Sequence, residues 1–404
     1  MKDYLDFFSH NSLTAKFTAF KEHCPVGVDG TNRETFLGTK DAEFALISKK
    51  IASGTYRFSR YKQKLIVKDA ASPPREVVIP TIRDRLTLVC LNEYIKQQSP
   101  EIQNNLQLKQ IIYSAIDAVR QSKYTHFIKI DIKSFFPSID HELLEQRLNT
   151  LNFDEKAIKT TMYAVRQRSQ KGAIASSKVG IPQGLPISGL LADIFVQEID
   201  SDFNERNDCR YFRFVDDLLI LCHANNYQSL AREIIKAFAT LKLTIHPPKA
   251  GGAKSALGSL SSGTEFLGYY ISSQSISVRQ SSIHKMYKNI NKVFLTEFKY
   301  AKKRKLKRFY ERLNLKITGC IVGDKTYGWM AYFHHINDLT LLSKLDSYVV
   351  QQFTHYQVPY KKEKVKRFIR TFYEYKRLDQ SNYIPKFETT HMMDLEELIA
   401  FLNE

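Results

Sequence analysis

Cysteine is scarce: the 404 residues hold five, Cys24, Cys90, Cys209, Cys222 and Cys320. None forms a CxxC pair, which argues against both a zinc site and a disulfide framework. Long apolar runs are missing too. No stretch approaches the roughly 18 residues of a membrane span. Met1 to Ala19 is interrupted by Lys2, Asp3, Asp6 and Lys16, unlike a secretory leader. A soluble, intracellular, cytoplasmic protein with no membrane association is the expectation. No internal repeat is visible, and no Pro/Gly/Ser linker divides the chain. Acids are in deficit: 42 Asp+Glu face 60 Lys+Arg, a formal net charge of +18. So large an excess suggests a polyanionic partner, and nucleic acid fits that description best.

What is present is ample material for a core, since 43% of residues are hydrophobic. At this length two or three domains or subdomains are expected. Residues 1–125 mix helical patterns with a strand-like stretch around 56–80, and Arg83–Lys96 reads as an amphipathic helix. Residues 126–275 alternate short apolar strands with helices. From about residue 280 the chain reads as helical and very basic. The run "KYAKKRKLKRFYERLNLK", residues 299–316, holds nine Lys/Arg and one Glu. A second, "KKEKVKRFIRTFYEYKR", residues 361–377, holds eight against two acids. Apolar residues recur through both, so they read as basic amphipathic helices rather than tails. Their sign bias and interleaved Phe and Tyr suggest a surface that tracks a phosphate backbone. The last fourteen residues, "HMMDLEELIAFLNE", read as a terminal helix packed on the body.

The stretch "YFRFVDDLLIL", residues 211–221, sets Asp216 and Asp217 side by side in an otherwise apolar, aromatic run. Burying a carboxylate is costly unless something compensates it. Tyr211–Val215 and Leu218–Cys222 read as strands, so the acids could simply form a hairpin tip, where Asp is favoured. Alternatively they hold a divalent cation, for which carboxylate oxygens are the natural hard ligands. Far upstream, "FIKIDIKSFFPSIDHELL", residues 127–144, repeats the pattern, with a strand ending near Asp131. Two strand ends delivering carboxylates to one point can clamp two divalent ions for in-line phosphoryl transfer. Between them, "GIPQGLPIS", residues 180–188, forms a defined loop leading into the helical "GLLADIFVQEID". In it Gly184 permits close backbone approach, and Gln183 supplies both a donor and an acceptor.

In this order the motifs resemble those of bacterial reverse transcriptases. The Asp131 stretch is similar to the first palm motif, "GIPQGLPIS" to the template- and nucleotide-positioning motif, and "FVDD" to the palm hairpin. "LTIHPPK", residues 243–249, resembles the motif whose lysine approaches the triphosphate. "FLGY", residues 266–269, resembles the primer grip, formed by Leu267, Gly268 and Tyr269. "REVVIPTIRDRL", residues 75–86, resembles a fingers segment, and "GVDG", residues 27–30, an N-terminal element of intron-type enzymes. The resemblance spans roughly residues 25–345.

It implies an α+β, right-hand polymerase fold: an N-terminal extension and fingers over 1–125, a palm built on an antiparallel sheet over 126–275 (with part of the fingers at about 145–180), and a helical basic thumb and C-terminal region over 276–404. It implies that Asp131 and Asp216 bind two Mg²⁺ ions, with Mn²⁺ as the alternative, assisted by Asp217 and the Ile132 carbonyl. Phe136 would lie under the incoming sugar and reject a 2′-hydroxyl. Phe135 is the alternative, because strand alternation lets only one of them face the site. Lys249 would act as general acid or charge neutraliser on the pyrophosphate, or stand solvated after two prolines. Arg75 and either Lys64 or Lys68 would contact phosphates of the dNTP. Lys302, Lys303, Arg304, Lys305, Lys307 and Arg308 would bind nucleic acid from the thumb.

Two departures matter. Val215 precedes the acids where many retrotransposing and retron enzymes carry Ala. There is no N-A-x-x-H stretch of the retron kind, the nearest V-T-G-like element is Ile317-Thr318-Gly319, and no HNH endonuclease pattern follows the thumb-like region. The compact pattern resembles stand-alone enzymes of antiphage defence, which implies an RNA template, a dedicated non-coding RNA among the candidates, and a DNA product. A homo-oligomer or a partner defence protein stays open. So do template-independent or protein-primed synthesis, a retron- or intron-type enzyme, and an inactive RNA-binding scaffold.

Overall fold

The computed structural model describes residues 3–21, 24–67, 74–103, 108–167, 178–299, 306–378, 381–387 and 395–403. Helices and antiparallel strands make an α+β architecture, in two compact units. The first comprises 1–107, 128–220 and 225–257; the second comprises 108–127, 221–224 and 258–404. The linear sequence reading groups 108–125 with the N-terminal segment, whereas the helix Leu108–Arg120 belongs to the second unit.

In the first unit, helices His10–Thr18, Arg33–Ala52 and Ile82–Gln98 pack together. Their seam is aromatic: Tyr4, Phe8, Phe17, Phe36 and Phe44 are all buried, and Tyr4 meets Phe8 and Tyr94 edge-on at 5.2 and 5.0 Å. Each helix starts at a polar cap, Ser9, Asn32 or Thr81, whose side chain accepts an N–H of the first turn. The strand-like stretch around 56–80 resolves into an antiparallel ribbon, β1 (Lys62–Ile66) with β2 (Arg75–Ile79).

A four-stranded sheet carries the acidic motifs. Its strands are β3 (His126–Asp131), β4 (Cys209–Phe214), β5 (Asp217–Cys222) and β6 (Ala256–Ser259), in the order β4-β5-β3-β6. β5 is buried from Leu218 to Cys222, as a continuous apolar strand should be. The helix Ser188–Asn204 packs on β4, with the Phe203 ring 5.7 Å from that of Tyr211.

The second unit holds an antiparallel meander, β7 (Thr264–Phe266), β8 (Tyr269–Ile271) and β9 (Ile276–Val278), and a ribbon of β10 (Cys320–Val322) with β11 (Lys325–Tyr327). Helices Gln280–Phe294, Leu306–Thr318 and Leu339–His355 bury Phe294, Phe309 and Phe353, whose rings meet edge-on at 5.0–5.7 Å. Here the structure corrects the reading of the basic runs. Phe309, Tyr310, Phe368, Phe372 and Tyr375 are buried, so most of the interleaved aromatics are the core stripe of amphipathic helices. Lys316, from the same run, is also buried: it donates to the Phe401 carbonyl and lies 4.2 Å from that ring. It thereby ties down the terminal helix Leu395–Asn403.

None of the five cysteines forms a disulfide; Cys90, Cys209, Cys222 and Cys320 are buried, and Cys24 is partly accessible. Among the described residues no helix is long and apolar enough to cross a membrane.

Candidate active site

Asp131 ends β3, and Asp217 opens β5, with Val215 and Asp216 forming the turn before it. The acid pair is therefore a hairpin tip, as the plainer reading had it, but a tip set beside a third acid. The backbone joins them: the Ile132 N–H points to the Asp216 carbonyl at 3.4 Å. Ser255, just before β6, accepts the Asp131 N–H through its hydroxyl at 2.9 Å. The "LTIHPPK" segment runs alongside. Lys133 donates to the Thr244 carbonyl at 2.8 Å, and His246 donates its N–H to the Asp131 carbonyl at 3.2 Å.

The turn is held from below by a buried cation. Arg213, on β4, has a side chain only 4% exposed. Its Nε lies 2.8 and 3.0 Å from the two Asp200 oxygens, and its NH2 reaches Asp200 at 2.5 Å and Asp193 at 3.0 Å. Burial opposes its charge, but Asp200 and Asp193 outweigh that and hold the guanidinium above its ordinary value. Asp193 and Asp200 are seven residues apart, two helical turns, and so share a face. The remaining arm, NH1, donates to the Val215 carbonyl at 3.1 Å. Val215 sits at φ +58°, a left-handed conformation costly for a β-branched residue. The clamp thus fixes the strained residue immediately before Asp216.

The positioning loop meets two other elements. Ile181 donates to the Phe136 carbonyl at 2.8 Å and Gly180 to that of Ile139 at 2.8 Å. Val78, on β2, donates to the Gln183 carbonyl at 2.7 Å, and Arg75 bonds the Gln183 side chain. Gly184 has φ +103°, and a Cβ there would lie 2.6 Å from the Val78 carbonyl. The close approach expected of Gly184 is thus made to β2 of its own chain. Phe135 and Phe136 lie on a short helical turn, Phe135–Ser138, entered through Ser134 at φ +45°. Strand alternation therefore does not apply to them. The turn itself separates them: Phe135 is buried and Phe136 is partly exposed.

Lys249 is exposed, and its backbone bridges to Ala256. The lysine near the acid is Lys254. Its Nζ is 4.0 Å from Asp131 Oδ2 and 3.1 Å from His246 Nε2, which is itself 3.3 Å from Asp131. Burial and Lys254 hold the imidazole below its ordinary pKa, against the pull of Asp131. Lys64 is exposed on β1, whereas Lys68 lies outside the described residues. In the second unit, Leu267 (φ +46°) and Gly268 (φ +86°) turn β7 into β8. Tyr269 is fully buried, with its ring against Phe333 at 4.9 Å, so it is a core residue. Lys307 and Arg308 are exposed; Lys302, Lys303, Arg304 and Lys305 lie outside the described residues. Among the described residues no group of three His, Cys, Asp or Glu could hold a metal ion by itself.

Sequence reasoning missed Arg213, Asp193, Asp200, His246 and Lys254. An arginine inside the apolar "YFRFVDD" was a readable sign of a buried, partnered cation. Nothing in the glycine-rich spacing before Lys254 marks it out.

The family model for reverse transcriptase (RNA-dependent DNA polymerase) matches residues 69–271. A COX1/OXI3 intron 1 protein of Saccharomyces cerevisiae is 22% identical over 55% of this chain and 27% of its own. Protein YkfC of Escherichia coli K12 is 23% identical over 46% of this chain and 51% of its own. The chain thus spans about half, or less, of the curated relatives it matches. The structure of telomerase from Candida albicans, in complex with a fragment of telomeric RNA, aligns over 86% of this chain and 62% of that one. Its TM-score is 0.47, at 13% identity.

Proposed function

The chain belongs to the reverse transcriptase (RNA-dependent DNA polymerase) family, and from that premise we propose that it copies an RNA template into DNA, adding dNTPs at Asp131, Asp216 and Asp217. The observation that carries this is the Ile132-to-Asp216 backbone contact, which brings an acid at one strand end beside an acidic turn at the next.

Carboxylates fit Mg²⁺, which is commonly bound by one or two of them together with substrate phosphates. Asp131 and Asp216 would hold it, with Asp217 and the Ile132 carbonyl beside them. When bound, two ions activate the attacking hydroxyl and stabilise the leaving phosphate. The chain's own residues do the positioning. Arg213 fixes the acid turn, and the loop at Gln183 sets the floor next to Phe136. Arg75, tied to Gln183, and Lys64 present cations toward a triphosphate, and the exposed Lys307 and Arg308 offer contacts to a nucleic acid backbone. In this reading residues 1–125, 126–275 and 276–404 serve as fingers, palm and thumb regions, except that the helix Leu108–Arg120 goes with the second unit. We place the enzyme in antiphage defence, working on a dedicated non-coding RNA; what supports this is the motif pattern, in which Val215 stands where many retrotransposing and retron enzymes carry Ala.

The test is Asp216→Asn. It should abolish dNTP incorporation on an RNA template while leaving RNA binding and the fold intact. Incorporation near the wild-type level would overturn the assignment. For the defence role, cells carrying the Asp216→Asn variant should lose any reduction in phage plaque number that the wild type confers.

A further inference from the structure

The second basic run builds a site that the polymerase reading does not use. Two adjoining hollows, of about 1000 and about 170 Å³, share Lys362, Val365, Lys366 and Arg367 as a common wall. The larger continues to Arg370, Arg377 and Tyr383, the smaller to Tyr360 and Val350.

The cations of this trough are held in place. Glu374, its side chain 5% exposed, takes Arg377 at 2.9 Å and Arg370 at 3.4 Å. Asp346, 11% exposed, takes Arg367 at 3.4 Å and also accepts the Phe368 N–H at 2.6 Å. Both acids lie beneath, while the three guanidinium-bearing side chains stay more than half exposed. Two cations also crowd one ring: Lys366 lies 3.9 Å and Arg370 4.3 Å from the centre of Tyr383. The Tyr383 hydroxyl in turn accepts the Arg367 N–H at 2.8 Å. Burial, with Arg370 alongside, lowers the pKa of Lys366 against the pull of Glu374. Glu363 is the remaining acid of the lining and is exposed. A merely solvated charged face needs no buried acids aiming its arginines. At the far end Tyr360 is 42% exposed, with the Phe353 ring 5.1 Å away in a T-shaped arrangement. Aimed cations beside an exposed aromatic ring are the combination with which proteins hold single strands.

We propose that this trough binds a single strand of nucleic acid, with phosphates on Lys362, Lys366, Arg367 and Arg370 and one base stacked on Tyr360. The proposal rests on the reading of the chain as a nucleic-acid enzyme, but not on its chemistry.

The experiment is equilibrium binding of short unstructured oligonucleotides to the full chain, RNA in one arm and DNA in the other. It is run across a salt series, in chelator and without dNTP. Replacing Lys366 and Arg370 together by Gln should weaken binding and flatten the slope of log affinity against log salt by about 1.4, roughly 0.7 for each lost phosphate contact. Tyr360→Ala should weaken binding about tenfold without changing the slope, within the range of one lost base stack, and Tyr360→Phe should restore it. The arm that responds identifies the strand as RNA, DNA or either. Wild-type affinity and slope in all variants, in both arms, would overturn the proposal. Asp216→Asn, as the control, should bind like the wild type, so a failed polymerase assignment and a failed trough give different results.

Discussion

At the scale of single residues, Arg213 is the least replaceable side chain around the site. Removing it leaves Asp200 and Asp193 without their cation, and breaking a buried pair from one side costs about 3–5 kcal/mol. Arg213→Met should therefore lower the urea midpoint sharply. Arg213→Lys keeps the charge but not the three-armed geometry; it should fold better than Arg213→Met yet incorporate dNTPs poorly, when rates are compared at equal folded fraction. Lys249 and Lys254 form a second contrast. The family pattern points to Lys249, but Lys254 is the lysine beside Asp131. Lys254→Ala should slow incorporation on the order of 100-fold, as loss of a positioned acid does, with Lys249→Ala well behind it. Single-turnover kinetics of both variants decide the matter, and the reverse ranking restores the family position. Arg213 could have been suspected from sequence, because a lone cation in an apolar strand asks for partners. Lys254 could not, since only the path of the loop brings it back to Asp131.

Among the elements, the strands bearing the acids were legible because each is an apolar run ending in a carboxylate. The docking of β2 on the loop at Gln183 was not, because it depends on backbone approaching backbone across more than a hundred residues. Gly184 shows the difficulty: its freedom looks the same in a sequence whether a ligand or a strand will fill the space. The basic helices misled for a related reason. Phe and Tyr interleaved with Lys and Arg suit a stacking surface and an amphipathic core stripe equally well, and burial decided for the core at Phe309 and Phe372. The short turn Phe135–Ser138 yields a sharper expectation. Phe135→Ala removes a buried ring and should cost about 3–5 kcal/mol. Phe136→Ala should leave stability nearly intact and raise ribonucleotide use relative to deoxynucleotide use in a direct competition assay. Unchanged sugar choice in the Phe136 variant would move the gate elsewhere.

For the whole molecule, acid should weaken the second unit. Burial, reinforced by His335, lowers the pKa of His334 to about 4. Above pH 6.5 the group is neutral whether folded or unfolded and contributes no difference. Below it the unfolded chain takes up a proton that the folded chain refuses, so stability falls until about pH 4, by roughly 3 kcal/mol. Denaturation midpoints between pH 7.5 and 4 should show this decline, and His334→Gln should flatten it. The cysteines carry a consequence of another kind. Burial lifts the Cys90 thiol to about 12 and those of Cys209 and Cys320 to about 11, and Cys222 is sealed inside β5. Thiolate is the reactive form, so a maleimide dye offered to the native protein should couple once per chain, at Cys24. Mass spectrometry of the intact chain counts the adducts, and Cys24→Ser should abolish them. Without any engineering, the wild-type protein would then carry a fluorophore at one known position, from which its encounter with an acceptor-labelled oligonucleotide can be watched as it happens.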